Sequence, residues 1–172
     1  MTRHDDDRIK HLHDWLRDAH AMEEQAETML KGMAGRLEHY PELKARIEQH
    51  VVETQAQARL LKECIERVGA STSTLKDMGG KLMANAQALS GMFASDEVVK
   101  GALFSYAFEH MEIASYRSLI AAANAVGDAQ TAATCTRILR EEEAMASWLE
   151  EHLPAITEQF LANARAGQPA KR

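Results

Sequence analysis

Apolar side chains recur every three or four residues along four long stretches of the chain. In residues 16–37 and 132–153 they line a single face of a helix, and residues 102–120 carry two such faces side by side. Residues 47–65 present one broad face with the same period. This spacing predicts four amphipathic helices that pack around a shared core.

Proline, glycine and aspartate residues indicate where these helices begin and end. Pro41 suits the first turn of a helix, while Gly69 and Gly127 suit left-handed caps. Ser95 or Asp96 can cap the third helix, as Asp128 can cap the fourth. The predicted helices span about residues 6–38, 42–68, 97–126 and 129–153, with a short minor helix at about 76–93.

The connections between these helices predict the topology. Short turns join the first helix to the second and the third to the fourth, whereas the second and third are separated by a long crossover that includes the minor helix. Two antiparallel hairpins with a crossover form the connectivity of a ferritin-like four-helix bundle. We therefore predict an all-α domain over residues 1–153 with a short fifth helix. Residues 154–172 should form a partly disordered tail, to which Ile156 and Phe160 can add one turn.

Composition agrees with a helical domain and excludes several classes of partner. The 172 residues are 45% hydrophobic, enough for a core, and the two cysteines, Cys64 and Cys135, lack the spacing of a zinc site. The net charge of −6, without a basic cluster, argues against nucleic acid and anionic membranes as partners. The N-terminus lacks the apolar core of a signal peptide, so we expect a cytoplasmic protein.

Each of the four long predicted helices carries glutamate at mid-height on its apolar face. A single such glutamate usually lies at the rim of a core, but acids on four facing helices without lysine or arginine would bury uncompensated charge. Two divalent ions would neutralise them, and oxygen ligands suit iron or manganese better than zinc. The predicted metal ligands are Glu23, Glu53, Glu109, Glu112 and Glu142.

The spacing of these acids supports a common site. Glu23 and Glu53 are 30 residues apart, as are Glu112 and Glu142, so each hairpin should bring its two acids to one level. A shift of 89 residues places the first hairpin on the second, with Met22-Glu23 on Met111-Glu112. A repeated hairpin is one way to build a symmetric dimetal site.

The run EHMEIASY at residues 109–116 resembles the signature of the YciE/YciF family of bacterial ferritin-like stress proteins. Residues 22–25, 50–54 and 139–144 are similar to the equivalent segments of that family, so the resemblance covers nearly the whole chain. It implies a ferritin-like bundle, commonly dimeric, that is associated with stress responses. It also implies a dimetal centre without an assigned reaction.

One departure from better-characterised ferritin-like di-iron proteins concerns histidine. Those proteins carry Glu-x-x-His on the second and fourth helices, but Ala56 and Met145 stand three residues after Glu53 and Glu142 here. The site must therefore be richer in carboxylates, recruit another histidine, or bind metal weakly. The candidate histidines are His20, His50 and His110.

These observations lead to three functional hypotheses. The first is a redox metalloprotein whose two iron or manganese ions react with peroxide or dioxygen. The second is a metal-free structural or interaction protein with a vestigial site, and the third, which we favour least, is an iron-storage cage. We also expect a homodimer, with contacts through apolar residues of the minor helix: Leu82, Met83, Leu89, Met92 and Phe93.

Overall fold

The computed structural model of the protein describes residues 3–69 and 96–167, with side chains from Asp7 onward. All regular structure in these ranges is helical, which confirms the predicted all-α class. The helices are α1 (Arg3–Ala34), α2 (Pro41–Arg67), α3 (Glu97–Val126) and α4 (Ala129–Arg165). The predicted minor helix, its apolar contact residues and the last five residues of the chain lie outside the described residues.

The four helices form the two hairpins that the turns predicted. α1 packs mainly against α2, and α3 against α4, while α1 also contacts α3 and α2 contacts α4. The closed ring of contacts buries one continuous apolar core, which includes Leu16, Leu61, Ile138 and Leu149 at full burial. Burying each such side chain stabilises the fold by about 1.5–3 kcal/mol. This is the ferritin-like arrangement.

The turn between α3 and α4 shows why the second hairpin closes tightly. Gly127 adopts a left-handed conformation, with φ of 77°, that ends α3. Asp128 then caps α4 by accepting a hydrogen bond from the backbone N–H of Thr131 at 3.1 Å. Arg67 at the end of α2 donates to both oxygens of Asp128, at 2.9 and 2.8 Å, and so ties the first hairpin to the second.

Two helix ends differ from the sequence prediction. α1 ends at Ala34 rather than near residue 38, although Leu37 remains buried beyond the helix. α4 continues through Pro154 to Arg165, twelve residues past the predicted end. Packing explains the continuation: Ile156 is buried, and the Gln159 side chain donates to the carbonyl of His39 at 2.9 Å. These contacts offset the loss of the backbone hydrogen bond that Pro154 cannot donate.

The helices of the described residues do not include a segment that is both long and apolar enough to cross a membrane. Charged side chains interrupt each helix, and they are spread over its outer face. The apolar faces are directed instead toward the neighbouring helices. A polar side chain that is buried inside the bundle therefore requires a specific structural or functional reason.

Candidate metal centre

Four acidic or imidazole side chains meet at mid-height in the bundle. α2 supplies His50, α3 supplies Glu109 and Glu112, and α4 supplies Glu142; one ligand atom from each lies within 4.8 Å of the others. All four residues are at least 98% buried. Glu109 and Glu112 share one face of α3 because they are three residues apart. Such a group could hold a metal ion.

His50 lies at the centre of this cluster. Its Nε2 is 3.2 Å from Oε2 of Glu109 and 3.4 Å from Oε2 of Glu142. Its Nδ1 is 2.8 Å from Oε2 of Glu53 on the opposite side of the ring. Burial alone would lower the pKa of His50, but the three carboxylates outweigh it and hold that pKa well above its ordinary value.

Glu23 of α1 adjoins the four-residue cluster. The hydroxyl of Tyr116 donates a hydrogen bond to its Oε1, whereas its Oε2 has no hydrogen-bond partner among the described residues. Burial and the nearby charge of Glu142 raise the pKa of Glu23 well above its ordinary value, despite the opposing effect of Tyr116. Glu23 therefore adds a fourth carboxylate to the buried group.

Glu53, the remaining predicted ligand, lies behind His50 rather than among the facing ligand atoms. Its side chain is 23% exposed and contacts Arg46 at 3.2 Å, and it accepts a hydrogen bond from Gln49 at 2.8 Å. Partial burial pulls the pKa of Glu53 upward, but His50 and Arg46 lower it to about 2. This residue is an ionised carboxylate that holds the His50 ring from the outside.

The three candidate histidines have different positions. His50 belongs to the cluster, whereas His20 faces Glu24 at 3.7 Å and His110 is exposed, with its ring edge-on to Tyr106. The sequence carries no separate signal for His50. Both His20-x-x-Glu23 and His50-x-x-Glu53 reverse the order of Glu-x-x-His, yet α1 brings its carboxylate to the cluster and α2 its imidazole.

Burial and the crowding of carboxylates together perturb the acids of the cluster. Burial, followed by the charges of Glu23 and Glu142, raises the pKa of Glu112 well above its usual range. Burial raises the pKa of Glu142 to about 7, although contacts with His50 oppose this. Several oxygens have no hydrogen-bond partner in the described part of the chain: Glu23 Oε2, Glu109 Oε2, Glu112 Oε1 and both oxygens of Glu142.

A protonated His50 can compensate one of the four buried carboxylates through its contacts with Glu109 and Glu142. Unpartnered buried oxygens are costly, so the remaining ones call for cations or protons that the other described side chains do not supply. Carboxylate and imidazole groups are common metal ligands, so this donor set of four carboxylates and one imidazole could hold a metal ion. The residues present therefore fit the metal that the ferritin-like fold implies.

The family model described as "Domain of unknown function (DUF892)" matches residues 7–162 of the chain. Among solved structures, a protein of Xanthomonas campestris pv. campestris is 46% identical, with a TM-score of 0.79; the match covers 92% of this chain and 99% of that one. YcfI from Rhodopseudomonas palustris, described as a candidate structural protein, is 26% identical, with a TM-score of 0.67 and coverage of 87% and 94%.

The E. coli stress protein YciF shares the fold. Its structure matches with a TM-score of 0.69 over 88% of this chain and 96% of that chain, at 22% identity. The resemblance carried by residues 109–116 is thus confirmed by the family match. The chain belongs to the DUF892 family, which is the family of YciF.

Proposed function

We propose that the protein binds two divalent ions, iron or manganese, at the centre of the bundle and that they react with peroxide or dioxygen. The observation that carries the proposal is the buried convergence of His50, Glu109, Glu112 and Glu142 within 4.8 Å, with Glu23 beside them. Their unpartnered oxygens are the ligand atoms that a cation would use.

Charge balance supports two ions rather than one. The carboxylates of Glu23, Glu109, Glu112 and Glu142 carry four negative charges when ionised, and two divalent ions carry four positive charges. A neutral His50 then leaves the buried site without net charge, which avoids the cost of an uncompensated ion in the core. One divalent ion would leave two negative charges unneutralised.

Glu53 would support the ligand role of His50. Because its ionised carboxylate faces Nδ1 at 2.8 Å, it favours a proton on that nitrogen and leaves Nε2 with a lone pair toward Glu109 and Glu142. Arg46 and Gln49 hold Glu53 in place. The sequence prediction of Glu53 as a ligand thus becomes, in this proposal, an orienting role.

Two bound divalent ions, held by His50 and the carboxylates of Glu23, Glu109, Glu112 and Glu142, would supply the two electrons that reduce peroxide to water. The chain's own residues surround that chemistry. The buried side chains exclude bulk water, and the Tyr116 hydroxyl holds one oxygen of Glu23 so that the other can face the site.

Metal content after anaerobic reconstitution tests this proposal. The parent should bind two iron(II) or two manganese(II) ions per chain, and Glu112→Gln should bind fewer. Glu38→Gln is the matched control, since Glu38 is exposed on the short segment after α1. A parent that binds less than one ion at saturating metal, or a Glu112→Gln variant that equals it, would favour a metal-free structural or interaction protein.

We further propose that the protein acts as a homodimer in the cytoplasm, as the family resemblance implies. Light scattering over a range of concentrations should give the mass of two chains. A monomer at every concentration, or a 24-subunit shell, would contradict the dimer.

A further inference from the structure

Two buried polar side chains on α2 have no place in the proposed ligand set. Thr54 and Gln57 follow His50 by four and seven residues, so they lie on its face of the helix, one and two turns farther along. Both are at least 99% buried. Thr54 Oγ1 and Gln57 Oε1 have no hydrogen-bond partner within residues 3–69 and 96–167, although an unpaired buried polar atom is costly.

The orientation of the Gln57 amide is fixed by its other end. Its Nε2 donates to Oε2 of Glu141 at 3.0 Å. A carboxylate only accepts hydrogen bonds, so the amide nitrogen must be the atom that faces Glu141, and the carbonyl oxygen must be the free end. Gln57 therefore offers an acceptor that requires a hydrogen-bond donor.

Thr54 offers the complementary group. Its hydroxyl can both donate and accept. On a helix, side chains three residues apart begin about 5–6 Å from each other, so one small molecule can reach both Thr54 and Gln57. The molecule must carry a hydrogen for Gln57 Oε1, and it can either accept a hydrogen bond from Thr54 Oγ1 or donate one to it.

This pattern separates the candidate oxidants. Hydrogen peroxide donates and accepts hydrogen bonds, as water does. Dioxygen carries no hydrogen and cannot satisfy Gln57 Oε1, and an anion would be repelled by that carbonyl oxygen. We propose that Thr54 and Gln57 form a subsite for hydrogen peroxide next to His50, in which a water molecule resides until peroxide replaces it.

The inference rests on the proposed metal centre and deepens it by selecting peroxide over dioxygen. The subsite lies beside the cluster because Thr54 is one turn from His50 on α2. Gln57 is held by Glu141, which directly precedes Glu142 in the sequence. The two residues bind and orient the oxidant and supply no electrons themselves.

Isosteric variants test the subsite. Thr54→Val removes the hydroxyl while preserving shape, and Gln57→Met removes the amide while preserving length. Thr136→Val is the matched control, because the Thr136 hydroxyl is already satisfied by the carbonyl of Ala132 at 2.7 Å. Iron(II) titration comes first, because it measures metal binding without the oxidant. The parent and the three variants should each bind two ions per chain.

Stopped-flow oxidation of the bound iron then compares the two oxidants. In Thr54→Val and Gln57→Met the rate constant with hydrogen peroxide should fall about tenfold, the effect expected when one hydrogen bond to the oxidant is lost. The rate with dioxygen should stay within about twofold of the parent, as should both rates in Thr136→Val. Equal losses with both oxidants, or no loss with peroxide, would overturn the subsite.

Crystals of the metal-free protein give a readout that needs no metal. The parent should show an ordered water within hydrogen-bonding distance of Thr54 Oγ1 and Gln57 Oε1, and a soak in hydrogen peroxide should replace it with two-atom density. Empty density, or a single water that the soak leaves unchanged, refutes the subsite even if iron binds. A parent that binds no iron refutes the proposed metal centre, whereas the soaked crystal still decides the subsite.

Discussion

Two polar regions join the hairpins of this bundle, and their charges are arranged in opposite ways. At the junction of α2 and α4, Arg67 meets Asp128 and Thr131, and donors and acceptors are matched. At the centre, Glu23, Glu112 and their neighbours bring like charges together, and several of their oxygens have no hydrogen-bond partner among the residues that the structure describes. The junction is complete within the chain, whereas the centre requires protons or cations.

The comparison separates residues that stabilise the fold from residues that are positioned at a cost to stability. Opposite charges at the junction lower the pKa of Asp128, despite its partial burial. At the centre, burial and then like charges raise the pKa of Glu23, Glu112 and Glu142. Perturbed carboxylates in a water-excluded cluster are a feature of functional sites, and matched pairs at helix ends are a feature of scaffolds.

Metal addition should produce the largest effect. Manganese(II) at about 100 times its dissociation constant should stabilise the protein by about 2.7 kcal/mol for each of the two proposed ions, roughly 5–10 °C per ion in the melting temperature of a chain of this size. Glu112→Gln removes a proposed ligand and a buried acidic group, so its metal-free form should melt above the parent and its metal-induced rise should be smaller. Differential scanning calorimetry measures both quantities.

The exposed control Glu38→Gln should reproduce the parent in both measurements. Equal metal-induced rises in the parent and in Glu112→Gln would mean that the ion binds outside the cluster.

The metal-free protein should lose stability as the pH rises from about 4.5 to about 7. The pKa of Glu142 is raised from 4.5 to about 7, so the folded state keeps a proton that the unfolded chain releases. Its contribution is complete below pH 4.5 and is lost toward pH 7, with a change on the order of 3 kcal/mol. Glu53 has the opposite effect, because its pKa is lowered from 4.5 to about 2. Its contribution to stability is present above pH 4.5 and is lost as the pH falls toward about 2.

Glu142→Gln, a neutral mimic of the protonated carboxyl, isolates this effect. Urea unfolding should give the variant and the parent similar stability at pH 4.5 and a more stable variant at pH 8. Parallel pH profiles for the two proteins would show that Glu142 ionises normally in the fold.

The junction should respond less, and without any dependence on metal. Asp128→Ala removes the N-cap of α4 and the carboxylate that pairs with Arg67, which should cost about 1–2 kcal/mol. The melting temperature should fall by roughly 2–8 °C, while metal stoichiometry stays that of the parent. Reduced metal binding in Asp128→Ala would show that the two regions are coupled rather than separate.

The sequence predicted the scaffold better than the details of the site. Periodicity and turn residues define which face of a helix is buried, so Glu23, Glu109, Glu112 and Glu142 were expected inside, and all four are buried. Glu53 was expected there too, but it lies at the edge of the buried face of α2. A repeat of three or four residues does not resolve a position at the boundary between core and surface.

Long-range contacts account for the other differences. Nothing in the sequence separates His50 from His20 and His110 as the histidine of the cluster. His50 is distinguished only by the packing of α2 against α3 and α4. Pro154 is a strong local signal to end a helix, yet the burial of Ile156 carries α4 past it. Local rules fail at this point because tertiary packing outweighs one missing hydrogen bond.

The smallest expected effect comes from the residue next to Glu142. Glu143 pairs with Arg117 at 2.8 Å across α3 and α4, but the two side chains are 43% and 65% exposed. Water and salt screen such a pair, so Glu143→Gln should change stability by roughly 0.5 kcal/mol or less. Its melting temperature, pH profile and metal stoichiometry should match the parent, whereas Glu142→Gln should alter all three. If the two neighbouring variants behaved alike, burial and convergence would not be what distinguishes the central carboxylates, and the metal centre would have to be sought elsewhere.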